Sequence, residues 1–558
     1  MLLFYITFVF VLEVVICKDS PPPRVTLPLG VVEGYIKKTV NGKEYSAFEG
    51  IPYASPPVGD LRFKKPVPVK PWTGIWKADI MIRCIQYDHM TPEGQDMVSG
   101  TEDCLYVNIY TPKKQSSKKF NVLIFIHGGA FMFNHGGLYG SEIIMDRDVV
   151  YVTINYRLGP LGFLSTEDNL VPGNMGMRDQ ILALKWLKDN IGYFGGNPDS
   201  ITIMGMSAGG ASVHTHYITP HSKGLFARGI SQSGCVLNPW VLMEEPLNHA
   251  KKVASLVGCP TESNEEMVNC LKTKPAKQIV NTVKHFQPWL YNPFSPFGLV
   301  VDSWAEDPVF PEHPFLLLQK GQVQDLPWMI SYTSSEGLYP ASDFYFDEYT
   351  EYLEKNWDSI IPYILHYHES VPKYQMDKVS HKIRQEYLEE TPVSRLDFAK
   401  FVTILSDRLF IKDIETAARL QSEATKSPVY SYYFNYRGAH SVSEYKTHSN
   451  VDIGVSHADD TLYTLKVEIV DTLSTEDDRQ MSKLLLDMLT SFMDTGKPNI
   501  SADWKPLSKK PSDPWVQLHI AGPHKTFLEE KDHIGNKQFW DSLPLEENER
   551  LFTKKDEL

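Results

Sequence analysis

The sequence predicts an α/β fold in which a mostly parallel central sheet is flanked by helices. Three observations carry this. First, short apolar runs recur along the chain, and two of them end in glycine-rich turns: Lys119–His127 (KFNVLIFIH) and Ser200–Met204 (SITIM), with Val149–Asn155 (VVYVTIN) between them. Runs of this kind are strands buried on both faces of a parallel sheet. Second, Met177–Ile191 places Ile181, Leu184, Leu187 and Ile191 on one helical face between two of these runs, giving a strand–helix–strand unit of right-handed sense. Third, later runs at Leu326–Tyr332 and Val429–Phe434 continue the pattern.

The remaining segments fit around that sheet. From Ser233 to about residue 315 the chain is rich in Pro, Trp and Phe, and from about 345 to 425 it reads as helices with little strand signal. Both stretches are expected to be insertions over the sheet rather than separate domains. Internal repeats and low-complexity linkers are not seen. The 558 residues, 42% hydrophobic and 22% charged, are ordinary for a globular chain with a large core. A formal net charge of −14 argues against nucleic-acid partners.

The ends carry targeting signals. Leu2–Ile16 is apolar apart from Thr7 and Glu13. It is too short for a membrane span and suits a signal peptide cleaved just before Lys18. No later segment is apolar over a length that could cross a bilayer. The final residues, Lys555-Asp556-Glu557-Leu558, match the retention address of the endoplasmic reticulum and imply its receptor as a partner. The organisation read from this is a signal peptide over 1–17, one α/β domain over 18–554 and a retention signal over 555–558. The expected location is the lumen of the endoplasmic reticulum, with export as the alternative.

Five cysteines remain after the signal peptide. Cys84 with Cys104, and Cys259 with Cys270, are the pairs close in sequence. In an oxidising compartment each disulfide would contribute about 3 kcal/mol. Cys235 is left over and is expected to be a buried thiol. Neither a C-x-x-C nor a paired Cys/His spacing supports a zinc site. Asn499-Ile500-Ser501 is a glycosylation sequon.

The chemistry centres on Gly205-Met206-Ser207-Ala208-Gly209, which matches G-x-S-x-G directly after a predicted strand. Small residues let the chain turn sharply from strand into helix and lift the serine above the sheet edge. The hydroxyl needs a base to take its proton. It also needs donors for an oxyanion, which His127-Gly128-Gly129-Ala130 offers at the end of another strand.

With both motifs in place, the chain resembles the type-B carboxylesterases, the cholinesterase and carboxylesterase family of the α/β-hydrolase fold. The similarity also rests on AFEGIPYASPPVGDLRF (47–63), EDCLYVNIYTP (102–112), NYRLGPLGFL and GNMGMRDQILALKW, and extends from about residue 24 to about 540. The resemblance implies a triad of Ser207 as nucleophile, Glu336 (in TSSEGLY) as orienting acid and His457 (in GVSHADDTLY) as base. It implies an oxyanion hole from the N–H groups of Gly129, Ala130 and Ala208. It also implies the disulfides Cys84–Cys104 and Cys259–Cys270, and ion pairs Arg62–Glu102 and Arg157–Asp179. Ser233 falls at a position beside the triad, and Trp240 either shapes the acyl pocket or is a plain core residue. The implied reaction uses no metal or cofactor and takes a small-molecule ester. Gly94 stands near the place where cholinesterases hold choline with a tryptophan, so choline esters are not the expected substrates. Met206 stands where juvenile hormone esterases usually carry glutamine, so hormone specificity is not supported. Two other readings use the same scaffold: a non-catalytic binding protein, against which the intact triad argues, and a stoichiometric scavenger of reactive esters.

Overall fold

The computed structural model describes residues 21–92, 94–113, 118–389, 391–500 and 503–548. The signal peptide, the C-terminal tetrapeptide and Ser501 of the sequon lie outside them. Eleven strands form one sheet: β1 (Tyr35–Lys38), β2 (Glu44–Pro52), β3 (Tyr106–Pro112), β4 (Phe120–Ile126), β5 (Val150–Ile154), β6 (Gly196–Met206), β7 (Arg228–Gln232), β8 (Trp328–Thr333), β9 (Val429–Phe434), β10 (Trp515–Gly522) and β11 (Lys525–Lys531). Their order across the sheet is β11-β10-β9-β8-β7-β6-β4-β5-β3-β2-β1. From β5 to β10 every neighbouring pair is parallel, and the antiparallel strands sit at the two edges. The predicted α/β fold is present.

All five predicted strands form, and the differences have local causes. The run at 200–204 is part of the longer β6, which carries the chain up to the serine. The run at 326–332 starts as β8 only at Trp328, after Pro327, which has no N–H to give to a sheet ladder. The predicted helix at 177–191 spans Met175–Asn190 (α1). It joins β5 to β6, but these strands are not adjacent, because β4 lies between them.

Strand alternation builds two cores. In β4, Val122, Ile124 and Ile126 pack into one apolar cluster with α1 and with α2 (Ala208–Ile218). Leu123 and Phe125 point into the other, against Leu485, Leu489 and Phe492 of α3 (Glu476–Thr495). The sheet is therefore a middle layer with helices on both faces. Helix α3 is sharply bounded: Thr475 and Asp478 form a reciprocal capping box, and Gly496 closes it in the left-handed conformation. The stretch from 347 to 424 is helical throughout its longer elements, as the sequence indicated.

Both close cysteine pairs form disulfides, Cys84–Cys104 and Cys259–Cys270. Cys235 is a buried free thiol whose Sγ donates to the Asp413 carbonyl at 3.3 Å. Arg62 grips Glu102 with two bonds of 2.7 Å and also donates to the carbonyls of Leu271, Lys272 and Lys274. One guanidinium thus ties the chain near the first disulfide to the helix end that carries the second. Arg157 pairs with the fully buried Asp179 in the same bidentate way.

Candidate active site

Ser207 sits at the junction of β6 and α2 with φ 59° and ψ −124°, a conformation that costs a non-glycine residue about 1–3 kcal/mol. The turn is held by Ser207 N–H donating to the Gln232 carbonyl at 2.8 Å. Its tightness explains the flanking glycines. A Cβ on Gly209 would run into the Ile126 carbonyl oxygen, and one on Gly205 would run into the Gly209 backbone. The helix must pass this close to β4 for the serine to stand at the carboxyl end of the sheet.

The loop after β4 reaches the same place. Gly129 (φ 107°), Ala130 (φ 54°) and Phe131 (φ 60°) run in succession through the left-handed region. Among the described residues, no backbone or side-chain acceptor takes a hydrogen bond from the N–H of Gly129, Ala130 or Ala208. Ala208 opens α2, where N–H groups lack helical partners. His127, the first residue of this motif, is stacked on Tyr156 with ring centroids 4.4 Å apart, and burial pushes its imidazole down to about 3. It is a neutral structural residue.

Glu336 follows β8 and is wholly buried. Its Oε2 meets His457 Nδ1 at 2.5 Å, while Oε1 accepts from Ser233 Oγ at 2.6 Å and Thr333 N–H at 2.7 Å. His457 shares a cavity of about 380 Å³ with Ser207, Gly129 and Ala130. The structure thus brings together six residues expected from the sequence: Ser207, Glu336, His457, Gly129, Ala130 and Ala208. Ser233, also expected nearby, is a direct ligand of the carboxylate. Asn499 is exposed just beyond α3 and does not line this cavity.

Other contributors were not legible in the sequence. Met206 lines the cavity next to the serine. Asp460 accepts from Tyr432 O–H at 2.8 Å, Gln232 Nε2 at 3.1 Å and Ser331 Oγ at 3.3 Å, so it pins the histidine loop to the sheet. Asp459 anchors the same loop through Ser441 Oγ and the N–H groups of Val442 and Ser456. Burial pushes its carboxyl up to about 7. The two acids stand in the sequence as the plain run His-Ala-Asp-Asp, with nothing to mark them as anchors. Trp240 does not line the cavity. It is buried one layer behind, donating to the Leu409 carbonyl at 2.8 Å and packing on Phe131, Phe294 and Phe410.

A serine on a strained strand-to-helix turn, with a carboxylate-bound histidine in the same cavity above a parallel sheet, defines a serine hydrolase of the α/β type. Residues 21–534 match the carboxylesterase family, and the chain belongs to it. It is a serine carboxylic ester hydrolase by class. It is 43% identical to venom carboxylesterase-6 of Apis mellifera over 95% of this chain and 96% of that protein. It is 34% identical to the juvenile hormone esterase of Tribolium castaneum over 96% of each. The crystal structure of juvenile hormone esterase from Manduca sexta, with OTFP covalently attached, superposes with a TM-score of 0.81 at 26% identity, covering 93% of this chain and 99% of that one. The two disulfides fit an oxidising compartment, and among the described residues no helix is long and apolar enough to cross a membrane.

Proposed function

We propose that this chain turns over small carboxylic esters by a two-step acyl-enzyme route on Ser207. The observation that carries the reading is the 2.5 Å contact of His457 Nδ1 with Glu336, inside the cavity that Ser207 lines. Glu336 fixes the tautomer that leaves Nε2 free as base. As Ser207 Oγ bonds to the ester carbon, its proton passes to His457 and the carbonyl π electrons move onto oxygen. The N–H groups of Gly129, Ala130 and Ala208 receive that oxyanion. Collapse breaks the bond to the alcohol oxygen, which takes the proton from His457. Water repeats the sequence on the acyl-enzyme and releases the acid. The largely apolar cavity suits uncharged esters of moderate size, in xenobiotic or lipid ester turnover, rather than choline esters.

Hydrolysis of p-nitrophenyl acetate and butyrate by the full chain and by Ser207→Ala tests this. The variant is expected to lose on the order of 10⁴-fold or more in kcat. Equal activity in both proteins refutes the assignment. A single burst without turnover in the wild type would favour the scavenger.

We further propose that the protein enters the secretory pathway through residues 1–17, carries glycan at Asn499, and is held in the endoplasmic reticulum by Lys555–Leu558. The exposed position of Asn499 supports the second point. Removing 555–558 is expected to shift the protein into the medium of expressing cells. An unchanged distribution refutes retention.

A further inference from the structure

His457 is held by more than Glu336. The ring of Tyr339 lies over its imidazole with centroids 5.5 Å apart and planes 22° from parallel. The Tyr339 hydroxyl in turn shares a hydrogen bond with His89 Nε2 at 3.0 Å. His89 is buried and does not line the cavity. It is stacked on Tyr291 at 4.1 Å and 9°, with Phe133 edge-on at 4.6 Å. Tyr291 donates to Asp343, which pairs with Lys446 at 3.1 Å. A column of rings thus runs from the closed loop of the first disulfide, where His89 lies, to the catalytic base.

We propose that Tyr339 and His89 are positioning residues for His457, with His89 acting only through Tyr339. This rests on the catalytic reading given above. Two physical effects follow from the geometry. Together with Phe410, which packs on the same imidazole at 4.7 Å, the ring limits rotation of the imidazole about the bond to Glu336 and keeps Nε2 directed into the cavity that Ser207 lines. The face of a tyrosine ring also attracts a cation within about 6 Å, so it favours the imidazolium that exists only while His457 holds the serine proton. The hydrogen bond to His89 keeps the ring from turning into the cavity, which Tyr339 also lines. The imidazole of His89 is suited to this, since burial holds it neutral, able to bond without adding charge.

The test is steady-state kinetics on the full chain, together with the rate at which diisopropyl fluorophosphate, a probe too small to need the whole cavity, modifies Ser207. Tyr339→Phe and His89→Phe each remove the hydrogen bond and keep a ring. Each is expected to lower kcat about 5-fold with KM within about 2-fold, and the double variant to match the single ones, as for residues acting through one contact. His89→Gln restores a partner for the hydroxyl and is expected to recover most of the rate. Tyr339→Leu removes the ring and is expected to lose about 30-fold or more in kcat, with the same loss in phosphorylation rate. The proposal is overturned if His89→Phe keeps wild-type kcat, if the two Phe variants add, or if Tyr339→Leu changes KM alone. Should His89→Phe fail to fold, the Tyr339→Phe and His89→Gln pair decides the matter. Ser207→Ala separates the two levels: activity surviving there refutes the catalytic reading itself, whereas an inactive Ser207→Ala beside a fully active Tyr339→Leu refutes only the positioning role.

Discussion

Met206 shows how one side chain is read differently once its surroundings are known. In the motif it is the variable position between Gly205 and Ser207. In the structure it forms part of the largely apolar wall of the cavity, beside Ser207. Met206→Ala should therefore leave short esters nearly unaffected while lowering kcat/KM for a hexanoate relative to an acetate by about 10-fold, the scale of one or two lost methylene contacts. A parallel fall for both esters would place the side chain outside the substrate path. Ala130 is a second side chain whose meaning depends on its surroundings. Its φ of 54° is reached with a Cβ in place, so the methyl stiffens the loop after β4 at some cost in strain.

At the level of elements, the site is a product of three strand ends, those of β4, β6 and β8, one helix start and the loop that carries His457. The glycines around Ser207 are not interchangeable with glycines elsewhere. Gly209→Ala would drive a methyl into the Ile126 carbonyl and is expected to abolish soluble, active protein. Gly224→Ala, where the added Cβ meets open space, is expected to cost only about 1 kcal/mol for its φ of 78°. Thermal melts and ester hydrolysis on the pair check this, and similar outcomes for both would contradict the packing argument. A loop near the start of the chain contributes in the same manner: the segment closed by Cys84–Cys104 carries His89 and lines part of the cavity through Asp88, Met90 and Gln95.

For the whole molecule, buried acids make stability depend on pH in a definite direction. Asp407 lies in a π-helical turn (Asp407–Ile411) with Tyr387 O–H donating to it at 2.8 Å. Burial pushes its carboxyl up to about 7. Its folded value exceeds its unfolded value near 4, so the native state binds the extra proton between those limits. Its contribution to stability is complete below about pH 4 and is lost as pH rises through about 7. Asp407→Asn, which keeps an acceptor for Tyr387, should match the wild type at about pH 4 and gain on it steadily as pH rises. At pH 8 it should be more stable by on the order of 3 kcal/mol. Urea midpoints measured across that range test it. A variant less stable than the wild type at pH 8 would show that the carboxylate is favoured there.

What the sequence determined by itself was whatever local physics writes into short patterns. Strand runs, the period of α1, the turn glycines around Ser207 and the spacing of the cysteines each depend on neighbours a few residues away. They sufficed for the sheet, the disulfides and the likeness to carboxylesterases. Glu336 and His457 were found through flanking residues that match the family, because 121 positions separate them and no local rule pairs them. Only the tertiary structure decided which side chains meet across the sheet: that Met206 lines the cavity beside Ser207, that Asp459 and Asp460 anchor the histidine loop, that Trp240 stands behind the cavity, and that His89 reaches Tyr339 across 250 positions. Contacts at such separations follow from the packing of layers, and a linear pattern holds no record of them.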